Sequence, residues 1–152
     1  MYALVVSALI LFLCVTFFAK PSNEHGVISK IPAMSDYFEE GTDKLILFVL
    51  TPTCPYCIQS YPFYRKVIES KRQDTKIVVG VDLSVPIEIE RRLILREGLN
   101  IDTLITIPTI DWGISSVPTI ILLDNEAKVE DVWIGLLDID QEKEVLSAVT
   151  RQ

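Results

Sequence analysis

Two cysteines three positions apart, Cys54 and Cys57, enclose Pro55 and Tyr56 in the stretch Thr-Pro-Thr-Cys-Pro-Tyr-Cys of residues 51–57. An apolar, strand-like run precedes this stretch and an amphipathic helix pattern follows it. A Cys-x-x-Cys pair at such a junction sets its first sulfur at the exposed start of the helix, where free backbone N–H groups and the helix dipole favour a thiolate. The second sulfur lies one turn further in, close enough to close a small ring. The chemistry this spacing offers is that of a redox dithiol, with Cys54 as attacking nucleophile and Cys57 as resolving thiol. A structural zinc site needs four ligands. The remaining candidates, Cys14 and His25, both lie far upstream in the chain. No metal and no cofactor beyond a Cys54–Cys57 disulfide is expected.

The elements that must hold this pair can be read along the chain. Residues 45–50, LILFVL, are six apolar residues in a row, the pattern of a strand buried on both faces. From Cys54 to about Lys71 the period turns helical, with Cys57, Tyr61, Tyr64 and Ile68 on one stripe. Pro62 falls inside that helix, removes one donor and is read as a structural kink. A second strand is expected at 76–83. A helix follows from Ser84 and Pro86 to Glu97, with Gly98 as its stop and Glu88 and Arg92 paired on its wet side. Residues 99–116 give no clear pattern. Strands at 119–123 and about 129–134 flank a turn at 124–126, and a last helix from about Asp138 buries Val145, Leu146 and Val149. Ser35 is read as the cap of a short helix over 36–40 that Gly41 ends. The order is βαβαββα, with the early strands parallel and the last two a hairpin.

At the other end of the chain, residues 2–19 are uncharged and almost wholly apolar. Eighteen residues in a helix span roughly 27 Å, enough to cross a hydrocarbon core. The N-terminus carries no Lys or Arg, and Phe17-Phe18-Ala19 offers no small-residue cleavage site, so a retained transmembrane helix is favoured over a cleaved signal. Residues 1–19 are thus an anchor or signal segment, 20–34 a polar linker, and 35–152 the folded domain. Lys20 and Lys30 after the span lean toward a cytoplasmic domain. An apolar segment ahead of a redox domain argues for export, and the extracytoplasmic side is favoured. The formal charge of −7, with no basic stripe, argues against nucleic acid as a partner.

Three further features carry a family resemblance. Pro62 stands eight positions after Cys54, Val117-Pro118-Thr119 precedes the hairpin, and the run from Trp112 to Val129 reads WGISSVPTIILLDNEAKV. Together with the element order, this resembles the thioredoxin-like superfamily, in particular membrane-tethered thiol–disulfide oxidoreductases of the TlpA and ResA type. The resemblance covers about residues 36–150. It implies an α/β fold with a central mixed β-sheet flanked by helices, and a cis Pro118 facing the dithiol. It also implies that Val117 and Pro118 bind the substrate segment, and that the partners are protein thiols or disulfides and a redox partner. The chain departs from the family's pattern at Thr53, where a Trp is usual, and at Phe48, where thioredoxins bury an acid. The proton handling that acid supports must therefore fall to water or to another carboxylate. For Asp111 and Trp112, core packing or a solvated acid is favoured over a substrate-contacting or proton-handling role; Tyr61, Tyr64 and Trp133 are read as core. Two other functions compete: a non-catalytic binding module using the groove at Pro118, and a thiol peroxidase. The intact dithiol argues against the first. The Thr51-Pro-Thr-Cys54 spacing does not fit the peroxidase pattern Pro-x-x-x-(Thr/Ser)-x-x-Cys.

Overall fold

The computed structural model of the protein describes residues 29–151. Five strands form one mixed sheet: β1 (Lys44–Leu50), β2 (Thr75–Asp82), β3 (Thr103–Ile107), β4 (Thr119–Asp124) and β5 (Val129–Ile134). Three helices join them, α1 (Pro55–Ser70), α2 (Ile87–Glu97) and α3 (Ile139–Thr150). The strand order is β3-β2-β1-β4-β5, with β1, β2 and β3 parallel and β4 and β5 antiparallel to their neighbours.

The unbroken apolar run of β1 makes it the central strand, and its pleat divides the core. Ile46, Phe48 and Leu50 point to the face that α1, α2 and α3 cover. Leu45, Leu47 and Val49 point to the other, which Ile31, Met34 and Ile114 close. All six are at most 1% exposed, as expected of a strand covered on both sides. The same alternation holds in β4, where Ile120 and Leu122 face the helices and Ile121 and Leu123 the opposite layer.

Several expected boundaries shift. The unassigned region 99–116 contains β3, a parallel edge strand that extends the sheet beyond β2. Asp102 pins its start: its carboxylate accepts the Ile77 N–H at 2.7 Å, and its own N–H donates to the Ile77 carbonyl at 3.0 Å. Residues 29–34, expected to be linker, pack onto the domain. Ser29 and Ile31 exchange backbone bonds with Val129 and Ala127, and Ile31 and Met34 are buried. The short helix foreseen over 36–40 is instead a 3₁₀ segment, Pro32–Tyr37. Ser35 lies inside it, its hydroxyl donating to the Pro32 carbonyl. On α2, Glu88 pairs with Arg91 rather than with Arg92. In α3, Ala148 joins Val145 and Val149 in the core while Leu146 is only half-buried. Asp138 caps that helix, accepting the N–H groups of Asp140 and Gln141, and the Gln141 side chain returns the bond. The apolar run 2–19, Cys14 and His25 lie outside the described residues. Among the described residues no helix is long and apolar enough to cross a membrane.

Candidate active site

β1 delivers the chain to the site, and the turn from Thr51 to Cys54 reverses it into α1. The Cys54 N–H donates to the Thr51 carbonyl at 3.2 Å, and Cys54 is the N-cap of the helix. Pro55 fits at the first helical position because its missing N–H would have no partner there. The Cys57 N–H donates to Cys54 Sγ at 3.4 Å, so the two cysteines sit one helical turn apart with the backbone holding the first sulfur. Cys54 is half-buried; Cys57 is fully buried. Both are free thiols. Burial, first of all, pushes the Cys57 thiol up to about 12; the nearby Cys54 sulfur and the Glu90 carboxylate act in the same direction. The pair is thus asymmetric, with one accessible sulfur and one that holds its proton.

The loop before β4 closes the site from the other side. The Val117–Pro118 peptide bond is cis, as the resemblance implies. Cys54 Sγ donates to the Val117 carbonyl at 3.7 Å, a contact that joins residues 63 positions apart in sequence. Thr119 Oγ1 donates to the Ser116 carbonyl at 2.7 Å, and Gly135 N–H donates to the Pro118 carbonyl at 2.7 Å, which fixes this loop against the one after β5. Upstream, the Asp82 carboxylate accepts from Thr109 Oγ1, Ser84 Oγ and Ser84 N–H, and these bonds hold it well below the usual carboxylate range. Pro55, Tyr56 and Ile58, which follow Cys54 in the first turn of α1, are exposed.

Each residue singled out in the sequence has a place. Cys54, Cys57, Pro55, Tyr56, Val117 and Pro118 come together. Pro62 lies within α1, which runs unbroken from Pro55 to Ser70, and it faces solvent. The carbonyl it leaves without a helical partner is that of Ile58, itself on the exposed side, where water can serve it. Asp111 is exposed in a turn, and Trp112 packs at the edge of the layer opposite the helices. Phe48 occupies the expected acid position and stacks on Tyr64 with ring centroids 4.6 Å apart.

One residue was missed. Glu90 on α2 is 0% exposed, the one fully buried carboxylate among the described residues. Its Oε1 accepts the Tyr61 hydroxyl at 2.8 Å, whereas Oε2 has no hydrogen-bond partner among those residues. Burial raises its pKa, and the Tyr61 bond partly opposes that rise. The signal was present in the sequence: Glu90 lies three after Ile87 and four before Ile94, on the inward stripe of α2. In a helix reading IEIERRLILRE, one acid among six charged residues is easily taken for a solvated one.

An N-capping, half-exposed cysteine, a buried second thiol and a facing cis-proline on a β-sheet of this order constitute the thioredoxin-like fold and its dithiol. Solved structures similar to the chain include proteins named as thiol–disulfide or disulfide oxidoreductases and isomerases. A thiol-disulfide isomerase from Corynebacterium glutamicum is 15% identical, covers 86% of this chain and 90% of its own, and has a TM-score of 0.63. StoA from Bacillus subtilis is 21% identical over 68% of this chain and 81% of its own, with a TM-score of 0.55. A secreted Mycobacterium tuberculosis disulfide oxidoreductase homologous to E. coli DsbE is 15% identical over 74% of this chain and 85% of its own, with a TM-score of 0.56. No protein-family profile and no curated protein sequence matches the chain.

Proposed function

We propose that the protein is a membrane-anchored thiol–disulfide oxidoreductase that exchanges disulfides with protein substrates on the extracytoplasmic side. The observation that carries this reading is the asymmetry of the dithiol: Cys54 Sγ is reachable and held by the Cys57 N–H, while Cys57 is buried one turn behind it. Cys54 attacks a substrate disulfide, and its S–S bond to the substrate replaces the one broken. Cys57 then attacks Cys54 Sγ, the substrate leaves as a thiol, and the Cys54–Cys57 disulfide carries the two electrons' worth of oxidation until a redox partner reduces it. The same steps run in reverse if that partner keeps the pair oxidised. Val117 and Pro118 line the groove in which the substrate backbone lies beside Cys54. Pro62 serves the geometry of α1, and Pro55 and Tyr56 set access at the helix start. Anchoring rests on the apolar run 2–19, and the extracytoplasmic placement on that run together with the secreted mycobacterial relative.

Insulin reduction by the full chain tests the activity. Cys54→Ala must abolish turnover, and Cys57→Ala must accumulate a mixed disulfide at Cys54. Insulin reduction that survives Cys54→Ala, or peroxide consumed faster than insulin is reduced, contradicts the reading. For the topology, a membrane-impermeant maleimide must label Cys54 in intact reduced cells; protection until the cells are lysed places the domain on the other side.

A further inference from the structure

Glu90 has no role in the steps just given, yet it occupies a costly position. A carboxylate buried with one oxygen unpaired loses hydration that nothing nearby restores, and an apolar residue on this stripe would be less expensive. The position also has a direction. Glu90 reaches from α2 across to α1, where Tyr61 holds it, and Tyr61 lies one turn after Cys57 on the same inward stripe. Glu90, Tyr61 and Cys57 are each at most 1% exposed and belong to the layer beneath the site. The ionisable groups facing one another there are Cys54, Cys57, Tyr61 and Tyr64 from α1 and Glu90 from α2. The strands bring apolar side chains to this layer, Phe48 and Leu50 among them. On α2 itself Glu88, Arg91 and Arg92 are exposed on the other side. No cation is among the groups that act on Glu90.

The resolving step needs a base in this layer. Cys57 must lose its proton before it attacks Cys54 Sγ, and burial holds that proton firmly. Cys57 is 0% exposed, so bulk water does not touch its thiol in the folded dithiol and reaches it more slowly than a group already in the layer. We propose that Glu90, held in place by Tyr61, is the buried base that accepts the proton of Cys57 when the mixed disulfide is resolved. The proposal rests on the dithiol reading above and supplies the proton acceptor that Phe48 cannot provide. In balanced form, Cys57–SH gives its proton to the Glu90 carboxylate and the resulting thiolate attacks Cys54 Sγ. The Cys54–substrate S–S bond breaks and the Cys54–Cys57 bond forms. The leaving substrate thiolate takes a proton from solvent, and Glu90 returns its own to solvent. A carboxyl raised by burial suits this task better than an ordinary one, because a base works best with a pKa near the working pH. Tyr61 is a positioning residue. Its hydroxyl fixes Oε1 and leaves Oε2 free.

The test follows resolution of one defined mixed disulfide. The full chain in detergent is reduced, mixed with glutathione disulfide, and quenched with acid at intervals between pH 5 and 10. Mass spectrometry then separates the Cys54–glutathione adduct from the Cys54–Cys57 disulfide. In the wild type, the resolution rate is expected to rise through the titration of Glu90 and then level off. With Glu90→Gln, which keeps an oxygen for Tyr61, the rate is expected to rise about tenfold per pH unit as hydroxide takes over. It should be slower than wild type at pH 7 by about 10²-fold, with the gap closing as pH rises. Removing the Glu90 charge without any proton transfer would ease Cys57 ionisation and make the variant faster, so a faster Glu90→Gln overturns the proposal. Profiles that superimpose, or that differ by one constant factor at all pH values, overturn it as well; the latter is the mark of a purely structural residue. Should Glu90→Gln fail to fold, the wild type decides alone. Carboxyl ¹³C NMR of Glu90 must give a midpoint that coincides with the inflection in its resolution rate, and separate midpoints refute the assignment. A wild type that forms the glutathione adduct but never the Cys54–Cys57 disulfide refutes the dithiol reading itself, a result distinct from any of these.

Discussion

Replacing Tyr61 with Phe tests the energetics of the buried layer without touching either cysteine. The Tyr61 hydroxyl donates to Glu90 Oε1 at 2.8 Å, and among the described residues it is the one hydrogen bond that the Glu90 carboxylate receives. Burial raises Glu90 above its ordinary value of 4.5, and the Tyr61 bond holds it back. A raised carboxyl binds its proton more tightly in the folded state. The stability it lends is therefore full below about pH 4.5 and is lost as pH rises through its folded titration. Removing the hydroxyl raises Glu90 further, so the loss must deepen with pH. At pH 4 the substitution forfeits a bond to a neutral acid, about 1 kcal/mol; at pH 8 it strips the only donor from a buried charge, about 2–3 kcal/mol. Urea unfolding of the reduced protein, followed by tryptophan fluorescence from half-buried Trp112 and buried Trp133, measures both values. The double variant Tyr61→Phe/Glu90→Leu removes the buried charge together with its donor and is expected to be at least as stable as the wild type at pH 8. A Tyr61→Phe penalty that is flat with pH, or larger at pH 4, refutes the reasoning. So does a double variant less stable than either single one.

Other outcomes follow from the same structure. With Cys57 buried and pushed up to about 12, iodoacetamide at neutral pH should modify it at least about 10²-fold more slowly than half-exposed Cys54, as read by mass mapping of the adducts; equal rates would contradict the asymmetry of the pair. That raised thiol also holds its proton more tightly when folded. The reduced form should lose stability as pH climbs from about 9 toward about 12, and the disulfide form should not share this loss; parallel unfolding curves for the two forms would count against it. Gly80 on β2 leaves no room for a side chain, because a Cβ there would lie 2.8 Å from Cδ1 of Ile107 and 3.3 Å from its Cγ1 and Cγ2. Gly80→Ala should cost about 1–3 kcal/mol in urea unfolding, and an unchanged midpoint would show that β3 yields freely.

The parts of the fold that were legible in the sequence are those whose pattern admits one physical solution. Six consecutive apolar residues in β1 require cover on both faces, and the structure supplies a layer on each. Gly98 takes the left-handed conformation at the end of α2 and Asp138 caps α3, both foreseeable from residue type. The dithiol and the cis bond before Pro118 were legible through their spacing and the family pattern together. What escaped had an ambiguous pattern. β3 is a five-residue edge strand followed at once by Pro108, partly exposed on both sides, so its residues alternate too weakly to mark a strand. Ile31 and Met34 are isolated apolar residues in a polar stretch, and only the backbone bonds to Ala127 and Val129 reveal that this stretch belongs to the domain. Glu90 escaped because charge in a helix usually means solvent. Its burial follows from the phase of α2 against α1, a tertiary fact that periodicity within one helix does not settle.

The central claim is that Cys54 and Cys57 cycle between a dithiol and an intramolecular disulfide. Equilibrating the full chain with glutathione buffers of graded composition, and counting free thiols by mass after acid quench, tests it most directly. The account predicts that both thiols disappear together in one two-electron transition, whose midpoint separates an oxidant near about −120 mV from a reductant near about −270 mV. Loss of only the Cys54 thiol to a lasting glutathione adduct, or no oxidation of the pair across that range, would contradict it.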